Sequence, residues 1–333
     1  MAGAKIEEFG QIEDGSTVHR ITLGSKYLRV SVLTLGAVLH NVRLAGIGHG
    51  LTLGSPDVRA YRSKMRSFGA LMGPVVNRIR NASAPILGTP HRFEANLEGV
   101  HTKHGGSDGT QHRVWTIEEA SDAHVVLRIL LEDGLAGFPG TRDIRLEYRV
   151  TASDLDMVIR AETDAPTLLN LANHSYWNLD GPGPVAGHKL EVHADRYTEN
   201  GPDLMVTGRV LDVAGTDFDF RVKRRFAPCG SLRFDLNYCL ADGKRALSPA
   251  LRLEGQSGVA MEMWTTEPGL QVFDQGTIDT APFNGHHGTP HAPFSSIALE
   301  AQGWPDAANH TGFPSIEVHP DAPYRQHTRW RFS

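Results

Sequence analysis

Between residues 170 and 178 the chain reads Asn170-Leu171-Ala172-Asn173-His174-Ser175-Tyr176-Trp177-Asn178, closing on Leu179-Asp180-Gly181. An imidazole, a phenol, an indole and several amides fall within nine residues. Such groups donate and accept hydrogen bonds, as a polyhydroxylated ligand requires, and an indole face covers the apolar C–H side of a sugar ring. Any one of these Asn residues is more often a turn former that satisfies loose backbone groups. The whole cluster reads as a site.

Four further polar groups emerge from apolar sequence. Arg78 follows Gly73-Pro74-Val75-Val76-Asn77, so its guanidinium leaves a buried run and needs a carboxylate or ligand oxygens. His104 precedes Gly105-Gly106, where absent side chains let the backbone approach a neighbour closely. Asp235 lies in Phe234-Asp235-Leu236-Asn237-Tyr238, and Glu300 ends the apolar stretch Ile297-Ala298-Leu299. Taken singly, each is more often half of a structural ion pair, and Arg78 with Asp235 or Glu300 would make one. Convergence on one surface would make them a site.

Other chemistries find no support. There is no Gly-x-Ser-x-Gly elbow, Walker loop or His-Glu-x-x-His, and Gly46-Ile47-Gly48-His49-Gly50 lacks the spacing of a dinucleotide loop. Histidine is abundant, but neither His101-Thr102-Lys103-His104 nor His286-His287 with His291 adds a Cys or carboxylate at ligand spacing, so no metal is expected. Cys229 and Cys239 form no paired motif and read as reduced, structural thiols.

The elements that must position these groups are strands. Alternation runs from Thr17 to Ala45 and recurs at 125–131, 144–150 and 155–159; Thr151-Ala152-Ser153-Asp154 and Gly255-Gln256-Ser257-Gly258 read as hairpin connections. Helical periodicity is confined to a turn or two near Ser55–Arg62, with Ser55 as cap and Pro56 at the first helical position. Many short strands and little helix predict an all-β fold, a large antiparallel β-sandwich. The Gly/Pro-rich loops at 181–184 and 282–293 are flanked by the same strand pattern, so residues 1–333 are expected to be a single domain.

A formal charge of −5 recruits neither nucleic acid nor an anionic membrane. Residues 1–8 carry acids where a signal peptide needs an apolar run, and no stretch approaches a membrane span, so the expected location is the cytoplasm.

With these residues in hand, the chain resembles the aldose 1-epimerase, or galactose mutarotase, family over nearly its whole length. The motifs are Asn77-Arg78-Ile79, His104-Gly105-Gly106, Asn173-His174-Ser175-Tyr176, Thr266-Glu267-Pro268-Gly269-Leu270-Gln271, Leu299-Glu300-Ala301-Gln302 and Phe313-Pro314-Ser315, with Pro320 and Tyr324-Arg325 beyond. The resemblance implies a β-sandwich with its site in an open cleft, Glu300 as general base and His174 as general acid. It further implies that Asn77, Arg78, His104, Tyr176, Asp235 and Gln271 bind the sugar, with no cofactor. The partner would be a free aldose, the protein a monomer or homodimer. Interconverting anomers means removing the C1 hydroxyl proton while protonating the ring oxygen, and a carboxylate with an imidazolium suits both tasks. A neighbouring Asp235 or Glu300 charge would favour protonated His174.

Four positions depart from the family pattern: Pro74, Leu236, Trp177 and Ala301, all expected beside the sugar. A phosphorylated substrate would want extra cations, for which Lys103 and Arg113 are nearest in sequence. The alternative from a different class is a non-catalytic carbohydrate-binding or sugar-sensing protein, since one fold serves both.

Overall fold

The computed structural model describes residues 4–227 and 233–333. The alternation becomes three large antiparallel sheets. A four-stranded sheet runs Lys5–Gln11, Thr17–Gly24, Leu28–Leu33, Leu39–Leu44. A nine-stranded sheet follows the order Thr116–Ala120, His124–Leu131, Arg142–Thr151, Asp154–Thr163, Tyr324–Phe332, Ala260–Thr265, Ser248–Glu254, Lys189–Val192, Arg224–Arg225. A six-stranded sheet is ordered Tyr176–Trp177, Ile297–Gln302, Gly269–Phe273, Asp235–Cys239, Arg196–Asn200, Val206–Asp212. The expected sandwich is present.

Both expected hairpins form. Thr151 pairs with Asp154 across a two-residue turn in which Ala152 takes φ 55°, and Glu254 pairs with Ala260 across the second. The helical expectation shifts slightly: a 3-10 turn covers Val58–Arg62, but Asp57 caps it, its carboxylate accepting the Arg59 N–H at 2.9 Å. Ser55 is buried two residues earlier and accepts the Asp57 N–H instead. The other helical segments are single 3-10 turns, and among the described residues no helix is long and apolar enough to cross a membrane.

Period two decides what each sheet buries. In Arg142–Thr151 the residues Ile144, Leu146, Tyr148 and Val150 point inward, while Asp143, Arg145, Glu147 and Arg149 line the outer face. There they join cross-strand pairs such as Arg128–Asp143 at 2.8 Å and Arg331–Asp154 at 2.8 Å. Exposed pairs like these contribute little stability singly, roughly 0–1 kcal/mol, but they keep the outer face wet. Inward residues of all three sheets meet in one apolar cluster that includes Val30, Trp115, Leu146, Leu270, Leu299 and Trp330.

The six-stranded sheet carries the site because it alternates differently. Leu236, Tyr238, Leu270, Val272, Ile297, Leu299 and Ala301 enter that shared core. The residues between them face the other way. Register then sets Gln271 directly opposite both Asn237 and Glu300, and Phe273 opposite both Asp235 and Ala298.

Cys239 is buried and its thiol is pushed up to about 12 by desolvation, which makes it inert as a nucleophile. Cys229 lies outside the described residues.

Candidate active site

Three segments bring polar groups to the open face of the six-stranded sheet. The sheet itself supplies Asp235, Gln271, Phe273 and Glu300. The small ladder Arg78–Ile79 with Thr102–Lys103 supplies Arg78 and Lys103, and its connections supply Asn77 and His104. The turn after Ala172–Asn173 supplies His174. Together Asn77, Arg78, Lys103, His104, His174, Asp235, Gln271, Phe273 and Glu300 line an open cleft of about 50 Å³.

Its centre is a pair. His174 Nε2 lies 3.5 Å from Glu300 Oε1, and the two side chains are only 6 % and 4 % exposed. Burial pushes the His174 imidazolium down to about 3. Burial, then the charge of Asp235, pushes the Glu300 carboxyl well above the usual carboxylate range. The expectation of a protonated His174 is therefore corrected: desolvation, helped by the charge of Lys103, holds the imidazole neutral beside a carboxyl that keeps its proton more tightly than usual.

Around the pair the polar groups are tied to one another. Asp235 accepts Gln271 Nε2 at 2.6 Å on one oxygen and Arg78 Nη2 at 3.4 Å on the other, while Asn200 Nδ2 donates to its main-chain carbonyl at 2.6 Å. The ion pair expected for Arg78 thus exists and lies inside the cleft. Gln271 Oε1 is buried without a partner among the described residues, leaving an acceptor for a ligand hydroxyl.

Asn77 and His104 hold each other. Both take left-handed φ, 64° and 50°; His104 N–H donates to the Asn77 carbonyl at 2.9 Å, and Asn77 N–H donates to His104 Nδ1 at 3.2 Å. The His104 proton is therefore on Nε2. Gly105 follows at φ 78°, where a Cβ would stand 2.2 Å from the Gly73 carbonyl oxygen. The close approach expected of that glycine is real, and it fixes the segment carrying His104.

The 170–178 run mostly does something else. Asn170 bonds Gly303 through both ends of its amide, Asn173 donates to the Gly69 carbonyl and to Tyr148, and Asn178 donates to the Gly183 and Ser295 carbonyls. The expected amide cluster is a set of backbone-satisfying turn residues. Trp177 is no sugar platform either, being fully buried 5.9 Å from Trp330 and 5.8 Å from Phe332. Of the run, only His174 lines the cleft.

Tyr176 sits behind His174. Its ring stacks on the imidazole at 5.0 Å and on Phe68 at 4.0 Å, and its hydroxyl is 3.3 Å from Ser67. That placement makes it a support for the imidazole and no contact for a ligand. Tyr176→Phe is expected to keep kcat within about threefold, whereas Tyr176→Leu, which removes the stacking face, loses far more. A tenfold loss in the Phe variant would instead put the phenol on the substrate.

Sequence reasoning did not assign Phe273, although it lies two residues after Gln271 on one strand and so shares its face. Lys103 joins the cleft, while Arg113 pairs with Asp108 away from it. Three of the four departures lie in the shared core: Leu236, Trp177 and Ala301 point away from the cleft, which corrects their expected position beside the sugar. Pro74 is buried after Gly73 and does not line the cleft either. The histidines at 286 and 291 bond the His40 and Gly54 carbonyls at 3.2 and 3.1 Å. A larger hollow lies between Lys244, Glu267, Pro314, Tyr324 and Arg325, but Glu267 there is closed off by Lys244 and no acid–base pair faces it.

The β-sandwich architecture is one that known relatives share. The aldose 1-epimerase family model matches residues 19–331. A galactose mutarotase from Homo sapiens is 31% identical, covering 99% of this chain and 98% of its own, and an aldose 1-epimerase from Escherichia coli is 28% identical over 96% of each. A solved aldose epimerase homologue from C. elegans superposes with a TM-score of 0.87 at 27% identity, covering 94% of this chain and 98% of the other. The chain belongs to the aldose 1-epimerase family, whose members are isomerases.

Proposed function

We propose that this chain interconverts the α and β anomers of a free aldose, with Glu300 and His174 as the acid–base pair. The observation that carries the reading is the buried pair itself, 3.5 Å apart at the floor of a cleft lined by hydroxyl-binding groups.

Ring opening takes the proton from the C1 hydroxyl and places one on the ring oxygen, breaking the C1–O5 bond to an aldehyde. Rotation about C1–C2 presents the other carbonyl face, and closure reverses both transfers. The carboxylate form of Glu300 serves as base at O1 and the imidazolium of His174 as acid at O5. The two groups face each other at 3.5 Å, so a proton can pass between them as the substrate binds. Arg78, Asp235, Gln271, Asn77 and His104 bind hydroxyls, and the Phe273 ring faces the apolar side of the sugar. Because mutarotation proceeds in water unaided, no cofactor or metal is required. The shared core of the three sheets supports a single domain over 1–333, acting as a monomer or homodimer in the cytoplasm.

The test is two-dimensional NMR exchange spectroscopy of the anomeric protons of glucose, galactose, arabinose, xylose and fucose, with and without protein. Accelerated exchange for some of them is expected. Tight binding with no acceleration would overturn the reading in favour of a non-catalytic carbohydrate-binding protein.

A further inference from the structure

Arg78 and Lys103 are direct cross-strand partners in the short ladder beside the cleft, so both side chains leave the same face, and both line it. Like charges placed opposite each other on paired strands destabilise the pair. Arg78 has a compensating anion in Asp235. Lys103 has none: among the described residues its half-buried ammonium forms no salt bridge or hydrogen bond, and it is surrounded by Arg78, Arg66, Asp235 and Glu300. Both oxygens of Asp235 are taken, by Gln271 and Arg78, and Glu300 faces His174 with its carboxyl pushed well above the usual range. With Asp235 offsetting Arg78, Lys103 is left, among the described residues, as a cation lining the cleft with no anion in contact. Burial, then the charge of Arg78, pushes the Lys103 ammonium below its ordinary range, so an anion brought beside it would restore what the cleft takes away.

We infer that Lys103, beside Arg78, selects aldoses that carry an anionic substituent, a carboxylate or a phosphate, over their neutral counterparts. This deepens the mutarotase reading and rests on it. The Asp235 carboxylate stands in the same cleft and opposes an anion, so the preference depends on Arg78 staying paired to it. Removing the Lys103 charge then leaves Arg78, already paired to Asp235, as the remaining cation of the cleft lining, and the advantage of the charged sugar goes with it.

The experiment compares glucose with glucuronate and with glucose 6-phosphate, reading both anomeric exchange, after subtraction of each sugar's spontaneous rate, and binding by titration calorimetry. Wild type is expected to favour at least one anionic sugar about tenfold in affinity and in kcat/KM, less so as salt rises. Carboxylate and phosphate arms tell the two substituents apart. In Lys103→Met the ratio is expected to fall to near one; Lys103→Gln provides the same loss of charge should Met impair folding. Equal treatment of charged and neutral sugars by wild type overturns the inference, as does a Lys103→Met variant that weakens both alike, which would mean that Lys103 acts on the Glu300–His174 pair. Binding preference without exchange of any sugar would leave the inference standing and remove the mutarotase reading, so the two fail separately.

Discussion

Glu300→Gln is expected to lower kcat by between about 10² and 10⁴-fold while leaving KM within a few-fold and the fold intact. The carboxamide preserves the volume of a side chain that is 4 % exposed, yet it can neither take the C1 hydroxyl proton nor exchange a proton with His174. The variant also separates catalysis from folding. The folded-state pKa of Glu300 is raised, so its contribution to stability is complete at low pH and is lost as pH climbs from the ordinary value of 4.5 through the folded value. Gln has no such loss. The variant should therefore gain on wild type with rising pH, by up to about 1.4 kcal/mol for each unit in that interval. Urea midpoints at pH 5 and pH 8, with anomeric exchange on the same samples, check both halves. Full activity in a folded Glu300→Gln sample would remove Glu300 from the chemistry.

The second large effect is acid unfolding. His40 and His174 are buried and neutral, both pushed down to about 3 by desolvation, and His104 also lies well below its usual range. Lowered histidines keep their stabilising contribution above the unfolded value of 6.5 and lose it as pH falls towards the folded value. Glu267, Glu300 and Asp306 carry raised values and act in the opposite sense, gaining as pH falls, so between about pH 6.5 and 4.5 the two groups partly cancel. Below about 4.5 the carboxyls have nothing further to give and the histidines continue. Stability should then fall by about 3 kcal/mol per pH unit for His40 and His174 together, with His104 acting in the same direction, against a total of about 5–15 kcal/mol for a typical protein. Denaturant midpoints from pH 7 to 4 should show a shallow upper limb and a steep lower one. His174→Asn should make the lower limb shallower by one proton; an unchanged limb would mean that His174 is not held neutral.

What the sequence made legible follows from where the information lies along the chain. Strand alternation at 125–131, 144–150 and 155–159 is local, and it predicted both the sandwich and the hairpin at Ala152-Ser153. Arg78, His104, Asp235 and Glu300 stood out because a charge beside an apolar run needs a partner wherever the fold puts it, and the cleft brings them together with His174 and Gln271. Composition misled where a side chain has two possible employers. An Asn that reads hydroxyls and an Asn that satisfies a turn look the same in sequence, and only the Gly303, Gly69 and Ser295 partners tell them apart. Trp177 and Tyr176 are adjacent, so strand geometry sends them to opposite faces, Trp177 into the shared core and Tyr176 to the cleft side, where it backs His174. The 3.5 Å gap between His174 and Glu300 depends on residues 126 positions apart, and no local pattern encodes it.

On the strands that hold Asp235, Gln271 and Glu300, each cleft residue is followed by one that fills the shared core: Leu236, Val272, Ala301. Odd and even positions thus answer to different pressures. A lineage of this protein can drift in what it recognises by changing one set and in its melting temperature by changing the other. The departures at Leu236, Trp177 and Ala301 belong to the second kind of history.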